Sequence, residues 1–127
     1  MTANKKVLVI DDSATMRSLI KTTLNPINVE CASASDGQAA LKSVKMEKFD
    51  LIICDVNMPN MDGIEFVQHA RKDDASLNKE TPVLMVTTEN SDMIKGSGKE
   101  AGASGWLTKP FNPEILIKAS KKLMGMG

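Results

Sequence analysis

The chain has 127 residues, 42% of them hydrophobic, which fits one compact domain spanning residues 1–127. Sixteen basic residues balance sixteen acidic ones, and this zero net charge argues against a general nucleic-acid or membrane-surface binder. The sequence contains neither an apolar run of membrane-spanning length nor the long apolar region of a signal peptide.

The first predicted elements are an apolar strand at residues 6–10, which ends at Asp11 and Asp12, and a helix that follows it. Ser13 is the predicted N-cap of this helix, and Pro26 is predicted to stop it. Apolar positions that recur at helical spacing form its predicted inner face. They are Met16, Leu19, Ile20, Thr23 and Leu24.

Residues 27–33 alternate apolar and polar side chains, as an edge strand would, and a second helix is predicted to open at Asp36 and Gly37. Four apolar residues, 51–54, then lead into Asp55, a pattern typical of a strand buried on both faces of a parallel sheet. A loop rich in turn residues follows, so Asp55 should stand at the C-terminal end of a central strand. Ligands and chemistry collect at that edge of open α/β sheets.

The second half of the chain continues the alternation of strands and helices. A third helix is predicted from Gly63, and a polar loop at 73–81 precedes a fourth strand at 82–87. A fifth strand is predicted at 104–108, followed by a last helix capped by Asn112. Five successive βα units predict an α/β fold, with a five-stranded parallel sheet and helices on both faces.

The helix between the fourth and fifth strands, residues 91–101, is predicted to be the weakest in the fold. Its interior glycines, Gly96 and Gly98, each cost roughly 1 kcal/mol relative to Ala, and Gly102 is its predicted C-cap. Two interpretations are open: a tight packing contact that needs a bare backbone, or a segment kept soft because it moves.

Cys31 and Cys54 lie in apolar, strand-like segments. They indicate small buried side chains in a reducing cytosol, and neither a disulfide nor a metal pair. We therefore expect a cytoplasmic protein.

Charged side chains are predicted to converge at the carboxyl edge of the sheet. If the first and third strands are neighbours, Asp11, Asp12 and Asp55 meet there, and each pair repels by roughly 3 kcal/mol at about 5 Å and an effective dielectric near 20. A hard cation such as Mg²⁺ suits oxygen ligands of this kind. Lys109 ends the fifth strand and Thr87 the fourth, and their ammonium and hydroxyl groups could bind the oxygens of a phosphoryl group.

The sequence resembles the receiver domain of bacterial two-component response regulators at Asp11-Asp12, residues 55–63, Thr87 and residues 109–111. The likeness spans essentially the whole chain. It is greatest to the CheY-like, stand-alone receivers of chemotaxis, because no residues remain for an output domain. The resemblance implies a flavodoxin-like, doubly wound fold with strand order 2-1-3-4-5.

The resemblance also implies roles for the residues at this edge. Asp55 would accept a phosphoryl group from a histidine kinase and form an acyl phosphate. Asp12, Asp55 and the main-chain carbonyl of Asn57 would bind Mg²⁺ directly, and Asp11 would hold one of its waters.

Three further residues would sense the phosphoryl group. Lys109 would pair with a phosphoryl oxygen, and its peptide bond to Pro110 would be cis. Thr87 would donate a hydrogen bond to the group, and Trp106 occupies the position of the family's switch aromatic, which follows that threonine inward. The output surface would comprise the fourth helix, fifth strand and fifth helix, including Ile94, Lys95, Lys99, Trp106 and Lys118.

The sequence departs from the family pattern at two positions. Trp106 stands where Tyr or Phe is usual, and its larger ring predicts a weaker or different coupling. Thr88 stands where Ala or Gly is common, and its extra atoms are expected to crowd the site. Asn57 and Glu89 occupy positions that tune self-dephosphorylation in the family, so a transient acyl phosphate is expected.

The resemblance implies a monomeric signalling switch and not an enzyme that turns over an external metabolite. The implied partners are a histidine kinase of the chemotaxis type, a flagellar motor switch protein or other effector, and a phosphatase. A receiver that serves as a phosphate sink or relay, without a motor effector, remains an alternative. A dehalogenase-type phosphatase is disfavoured because Asn57 replaces its second acid. Phosphate-cofactor binding is disfavoured because Asp11 and Asp12 would repel the phosphate.

Overall fold

A parallel sheet of five strands forms the centre of the computed structural model, which describes residues 4–126. The strands are β1 (Lys6–Ile10), β2 (Glu30–Ala34), β3 (Leu51–Cys54), β4 (Val83–Thr87) and β5 (Gly105–Thr108). They lie in the order β2-β1-β3-β4-β5, and all four neighbouring pairs are parallel. The strand order implied by the resemblance is therefore confirmed.

Within the described part of the chain, five α-helices connect and follow these strands. They are α1 (Ala14–Leu24), α2 (Gly37–Met46), α3 (Gly63–Lys72), α4 (Asp92–Ala101) and α5 (Pro113–Leu123). Each begins at a side chain that accepts a backbone N–H, and Ser13 and Asn112 are N-caps as predicted. None of the helices between residues 4 and 126 has the length and apolar character needed to cross a bilayer.

The hydrophobic core consists of two layers, one on each face of the sheet. Because successive strand residues point to opposite faces, the side chains of β1 divide between the layers. Leu8 and Ile10 pack in the layer that includes α2, α3 and α4, whereas Val7 and Val9 pack in the layer that includes α1 and α5. The predicted α/β architecture with helices on both faces is confirmed.

The connection between α1 and β2 differs from the prediction. The α-helix ends at Leu24, but the chain continues into a 3₁₀ turn at Asn25–Ile27 that contains Pro26. Asn28 then adopts a left-handed conformation with φ of 55°, and this turn delays β2 until Glu30. The strand prediction for residues 27–33 was therefore wrong at its start.

The inner face of α1 is narrower than predicted. Leu19 is 46% exposed, so its assignment to the core was wrong. Ile20 and Leu24, one helical turn apart, are the fully buried residues of the helix. Residues four apart lie on the same face of a helix, so Ile20 shares the buried face of Leu24. Leu19 is rotated away from that face.

The polar loop at 73–81 contains a buried hydrogen-bond network that the sequence prediction missed. Asn78 is fully buried, and its side chain accepts the N–H of Phe49 and donates to the carbonyls of Val44 and Glu47. Thr81 also donates its hydroxyl proton to the Asn78 amide oxygen. These bonds fasten the loop to the ends of α2 and β3, at the edge of the sheet opposite the predicted site.

The two cysteines are free thiols with different environments. Cys54 is fully buried, and its burial, followed by the charge of Asp55, raises the pKa of its thiol well above the usual value. Cys31 is only half-buried, so the prediction of a buried side chain was wrong for this residue.

Helix α4 forms despite its two interior glycines. Gly98 is the buried residue of the helix, and an ideal Cβ there would lie 2.6 Å from a ring carbon of Trp106. At Gly96 a Cβ would meet nothing within 4 Å. The packing interpretation therefore accounts for Gly98, while Gly96 weakens the helix without any packing contact.

We expect backbone amides in α4 to exchange with solvent faster than those in α1 and α5. Helix α4 buries only Gly98, and Gly96 lowers its intrinsic stability, whereas α1 and α5 each bury two residues. Hydrogen exchange followed by NMR measures this difference. Equal protection of the three helices would exclude a locally soft α4.

Candidate functional site

The pairing of β1 with β3 brings two aspartates to the same edge of the sheet. Ile10 and Cys54 are partners in the register of these strands, so the next residues, Asp11 and Asp55, leave the sheet side by side. The N–H of Asp55 donates to the carbonyl of Ile10 at 3.0 Å, and that of Asp11 donates to Ala34 at 3.2 Å. The sheet therefore fixes the main chain of both aspartates.

Three carboxylates form an acidic cluster at this edge. One oxygen from each of Asp11, Asp12 and Asp55 lies within 4.8 Å of the others. Asp11 is 2% exposed and Asp55 is 7% exposed, whereas Asp12 is open to solvent. Two negative charges removed from water in this way require a positive partner nearby.

Lys109 supplies that positive charge. Its Nζ donates to Asp11 Oδ2 at 2.8 Å and to Asp55 Oδ2 at 2.9 Å, and its side chain is 13% exposed. Its N–H continues the ladder between β4 and β5 by donating to the carbonyl of Thr87, and the Lys109-Pro110 peptide bond is cis. The ammonium therefore extends from the end of β5 and bridges the carboxylates at the ends of β1 and β3.

The protonation state of Lys109 is set by opposing effects. Burial alone lowers its pKa, but the hydrogen bonds and charges of Asp11 and Asp55 together outweigh burial and raise the pKa above 10.5. The raised pKa means that the ion pairs contribute stability below about pH 10.5 and lose it as the pH rises further. Lys109 is thus a fixed cation at neutral pH.

The loop after β3 closes the site from one side. The N–H of Asn57 donates to Asp55 Oδ1 at 3.2 Å, and its Nδ2 donates to Glu89 Oε1 at 3.2 Å. Gly63 passes so close to the main chain that an ideal Cβ there would lie 2.0 Å from the Asp55 carbonyl oxygen. Gly63 was predicted only as the start of a helix, so this contact was missed.

The loop after β4 forms the other side. Thr87 is buried, and its Oγ1 accepts the N–H of Glu89 at 3.3 Å. The indole N–H of Trp106 donates to the carbonyl of Glu89 at 2.8 Å. Thr88 is exposed. Thr87 and Trp106 therefore both contact the main chain of Glu89.

Arg17 is a second residue that the sequence analysis missed. Its Nη1 donates to the main-chain carbonyl of Asp11 at 2.6 Å, while the N–H of Ser13 donates to Asp11 Oδ1 at 2.9 Å. These contacts hold Asp11 against the start of α1. An arginine in the first turns of a helix is common, and nothing in the sequence indicates that Arg17 contacts the carbonyl of Asp11.

The donor set fits a hard divalent cation. Three carboxylates and one ammonium give a formal charge of −3 + 1 = −2 at the cluster, which one divalent cation would balance. Carboxylate oxygens are preferred ligands of Mg²⁺, which also keeps several waters, and the exposed Asp12 leaves room for them.

The doubly wound sheet and the acidic, lysine-paired cluster at its carboxyl edge define a flavodoxin-like α/β protein with a candidate cation site. The family model of the response regulator receiver domain matches residues 7–121, and the chain belongs to this family. Receiver domains are signalling switches and not classical enzymes.

Known relatives include both short and long proteins. The chain is 36% identical over 119 residues to chemotaxis protein CheY of Pseudomonas aeruginosa, covering 93% of this chain and 94% of that protein. It is 39% identical over 121 residues to the alkaline phosphatase synthesis transcriptional regulatory protein PhoP of Bacillus subtilis, covering 95% of this chain. The match spans about half of that relative, 49% of its length.

Solved structures give the same family. Chemotaxis protein CheY4 of Vibrio cholerae is 46% identical to this chain and superposes with a TM-score of 0.87, over 95% of this chain and 99% of that one. The CheY-like resemblance stated from the sequence is therefore confirmed.

Proposed function

We propose that residues 1–127 act as one receiver unit, a phosphorylation-dependent switch in which Asp55 accepts a phosphoryl group from a histidine kinase. The observation that supports this role most directly is the pairing of Asp55 Oδ2 with the Lys109 ammonium at 2.9 Å, inside an acidic cluster at the sheet edge. A carboxylate held beside a fixed cation can receive a negatively charged phosphoryl group with less repulsion than an isolated carboxylate.

The proposed transfer uses one oxygen of Asp55 as the nucleophile. As this oxygen forms a bond to phosphorus, the bond from phosphorus to the nitrogen of the donor imidazole breaks, and its electron pair returns to the imidazole. Lys109 remains protonated and pairs with an oxygen of the new acyl phosphate. Hydrolysis of this acyl phosphate resets the switch, with Asn57 and Glu89 flanking the path of the attacking water.

We assign the metal-binding role to Asp11, Asp12, Asp55 and the main-chain carbonyl of Asn57, a set of oxygen donors that suits Mg²⁺. When bound, the cation reduces the repulsion between the carboxylates and the incoming phosphoryl oxygens. The residues of the chain keep the cluster compact for this purpose, because Arg17 and Lys109 hold Asp11 from two sides.

The signal would leave the site through Thr87 and Trp106. If the Thr87 side chain moves so that its hydroxyl donates to a phosphoryl oxygen, the contact between Oγ1 and the N–H of Glu89 changes. Since Trp106 holds the carbonyl of Glu89, a movement of this loop changes the environment of the indole. A shift from mostly inactive to mostly active needs several kcal/mol, for which a new dianion with Lys109 and Thr87 contacts is a credible source.

The output surface would lie on α4, β5 and α5, where Ile94 and Trp106 are partly exposed between the exposed Lys95, Lys99 and Lys118. The chemotaxis relatives favour a chemotaxis-type kinase and a flagellar motor switch protein or another effector as partners. A phosphatase that shortens the life of the acyl phosphate is a further partner.

The first test is labelling by phosphoramidate, a small phosphodonor, followed by intact-mass spectrometry. With Mg²⁺ we expect the mass of one phosphoryl group to be added. After chelation of divalent cations we expect labelling to slow by about tenfold or more, because the cluster then repels the donor, and to recover when Mg²⁺ is restored. Labelling at the same rate in excess chelator would contradict the proposed metal role, and no labelling under any condition would contradict the proposed function.

A further inference from the structure

Helix α4 has a notch at Gly98 that receives the ring of Trp106. An ideal Cβ at Gly98 would lie 2.6 Å from Cζ3 of the indole, 3.4 Å from Cε3 and 3.5 Å from Cη2. Every other amino acid carries a Cβ, so the ring could not keep this position beside a different residue. The bare backbone of Gly98 therefore fits the larger aromatic side chain of this protein.

The opposite, polar edge of the same ring is also held. The indole N–H donates to the carbonyl of Glu89 at 2.8 Å, so the ring spans the space between α4 and the loop after β4. The Glu89 carboxylate accepts from Asn57, whose N–H donates to Asp55 Oδ1. A continuous series of contacts thus runs from Gly98 through Trp106, Glu89 and Asn57 to Asp55.

We propose that Gly98 is a positioning residue of the switch: its notch keeps the Trp106 indole on the Glu89 carbonyl and so couples α4 to the loop that flanks Asp55. The coupling to phosphorylation rests on the function proposed above. In this arrangement the loop that carries Thr87 and Glu89 is ordered before the phosphoryl group arrives. If the indole is displaced, this loop must become ordered during phosphoryl transfer, and the transfer is slower.

Gly96 provides a matched control, since it lies in the same helix two residues away and a Cβ there meets nothing within 4 Å. In the interior of an exposed helix, Gly→Ala is expected to raise the folding equilibrium constant by about fivefold. Gly96→Ala should show this gain. Gly98→Ala should not raise the folding equilibrium constant, because the new methyl group collides with the indole.

Besides their stability, the two variants are compared in two measurements. Trp106 is the sole tryptophan, so its indole N–H gives a single NMR resonance whose solvent exchange reports the bond to Glu89. Relative to the parent, we expect Gly98→Ala to increase indole N–H exchange by about tenfold or more and to slow phosphoramidate labelling several-fold. Gly96→Ala should neither increase indole N–H exchange nor slow labelling. Unchanged indole exchange in Gly98→Ala, or an equal change in Gly96→Ala, would overturn the proposal.

A double variant guards against misfolding of Gly98→Ala. Trp106→Phe removes the outer ring that carries Cζ3. Adding Gly98→Ala to Trp106→Phe should therefore raise the folding equilibrium constant by about fivefold, as Gly96→Ala does in the parent. A Gly98→Ala effect that is the same with Trp106 and with Phe at that position would refute the coupling. If labelling fails in the parent itself, the proposed function fails, and indole exchange still decides whether Gly98 positions Trp106.

Discussion

Replacement of Asp55 by Asn is expected to reduce labelling by phosphoramidate by on the order of 100-fold or more. The side chain keeps its shape, but a neutral amide oxygen is a poor nucleophile and cannot form a stable acyl phosphate. Of the two carboxylates that Lys109 contacts at present, the substitution leaves only that of Asp11. Intact-mass spectrometry of parent and variant under the same Mg²⁺ concentration measures the loss.

Asp74→Asn is a suitable control for this prediction. Asp74 lies in the loop at 73–81, has a fully exposed side chain and contacts only Lys79 among the ion pairs of the described residues. This variant should be labelled at the parent rate. Labelling of Asp55→Asn at the rate of the Asp74→Asn control would show that another residue accepts the phosphoryl group. Circular dichroism of both variants checks that the comparison is made between folded proteins.

Local patterns in the sequence were sufficient to predict five strands and the edge at which Asp55 lies, although the start of β2 was placed too early. The apolar run at 51–54 followed by a carboxylate and a loop requires no long-range information, because a buried strand and its exit are local features. The order of the strands in the sheet could not be predicted from local patterns. Alternation of strands and helices permits several orders, and the order 2-1-3-4-5 entered only through the resemblance to a known family.

The contacts that complete the site depend on tertiary structure and had no local signal. Lys109 and Asp11 are 98 residues apart in sequence, yet their side chains are 2.8 Å apart. Likewise, a glycine in a helix predicts reduced helix stability, but only the packing of α4 against β5 shows that Gly98 receives Trp106. Asn78 looked like an ordinary loop residue, because the buried carbonyls that it satisfies belong to other elements.

Replacement of Lys109 by Met is expected to destabilise the protein by about 3 kcal/mol in the absence of divalent cations, since it leaves the carboxylates of Asp11 and Asp55 buried without a positive partner. Met keeps much of the aliphatic volume, so lost packing contributes little. The formal charge of the cluster changes from −2 to −3, which should strengthen the binding of Mg²⁺. Mg²⁺ at about 100 times its dissociation constant would then restore about 2.7 kcal/mol.

Urea unfolding of the parent, Lys109→Met and Lys42→Met, each with and without Mg²⁺, measures both effects. Lys42 is exposed on α2, so its replacement removes a charge without leaving a buried carboxylate, and it should change stability by less than about 0.5 kcal/mol. We expect Mg²⁺ to reach half of its stabilising effect at a lower concentration in Lys109→Met than in either other protein. Equal stability losses in the two lysine variants would mean that the Asp11–Lys109–Asp55 contacts do not hold the cluster together. An identical Mg²⁺ dependence in all three proteins would mean that the cation binds away from these carboxylates.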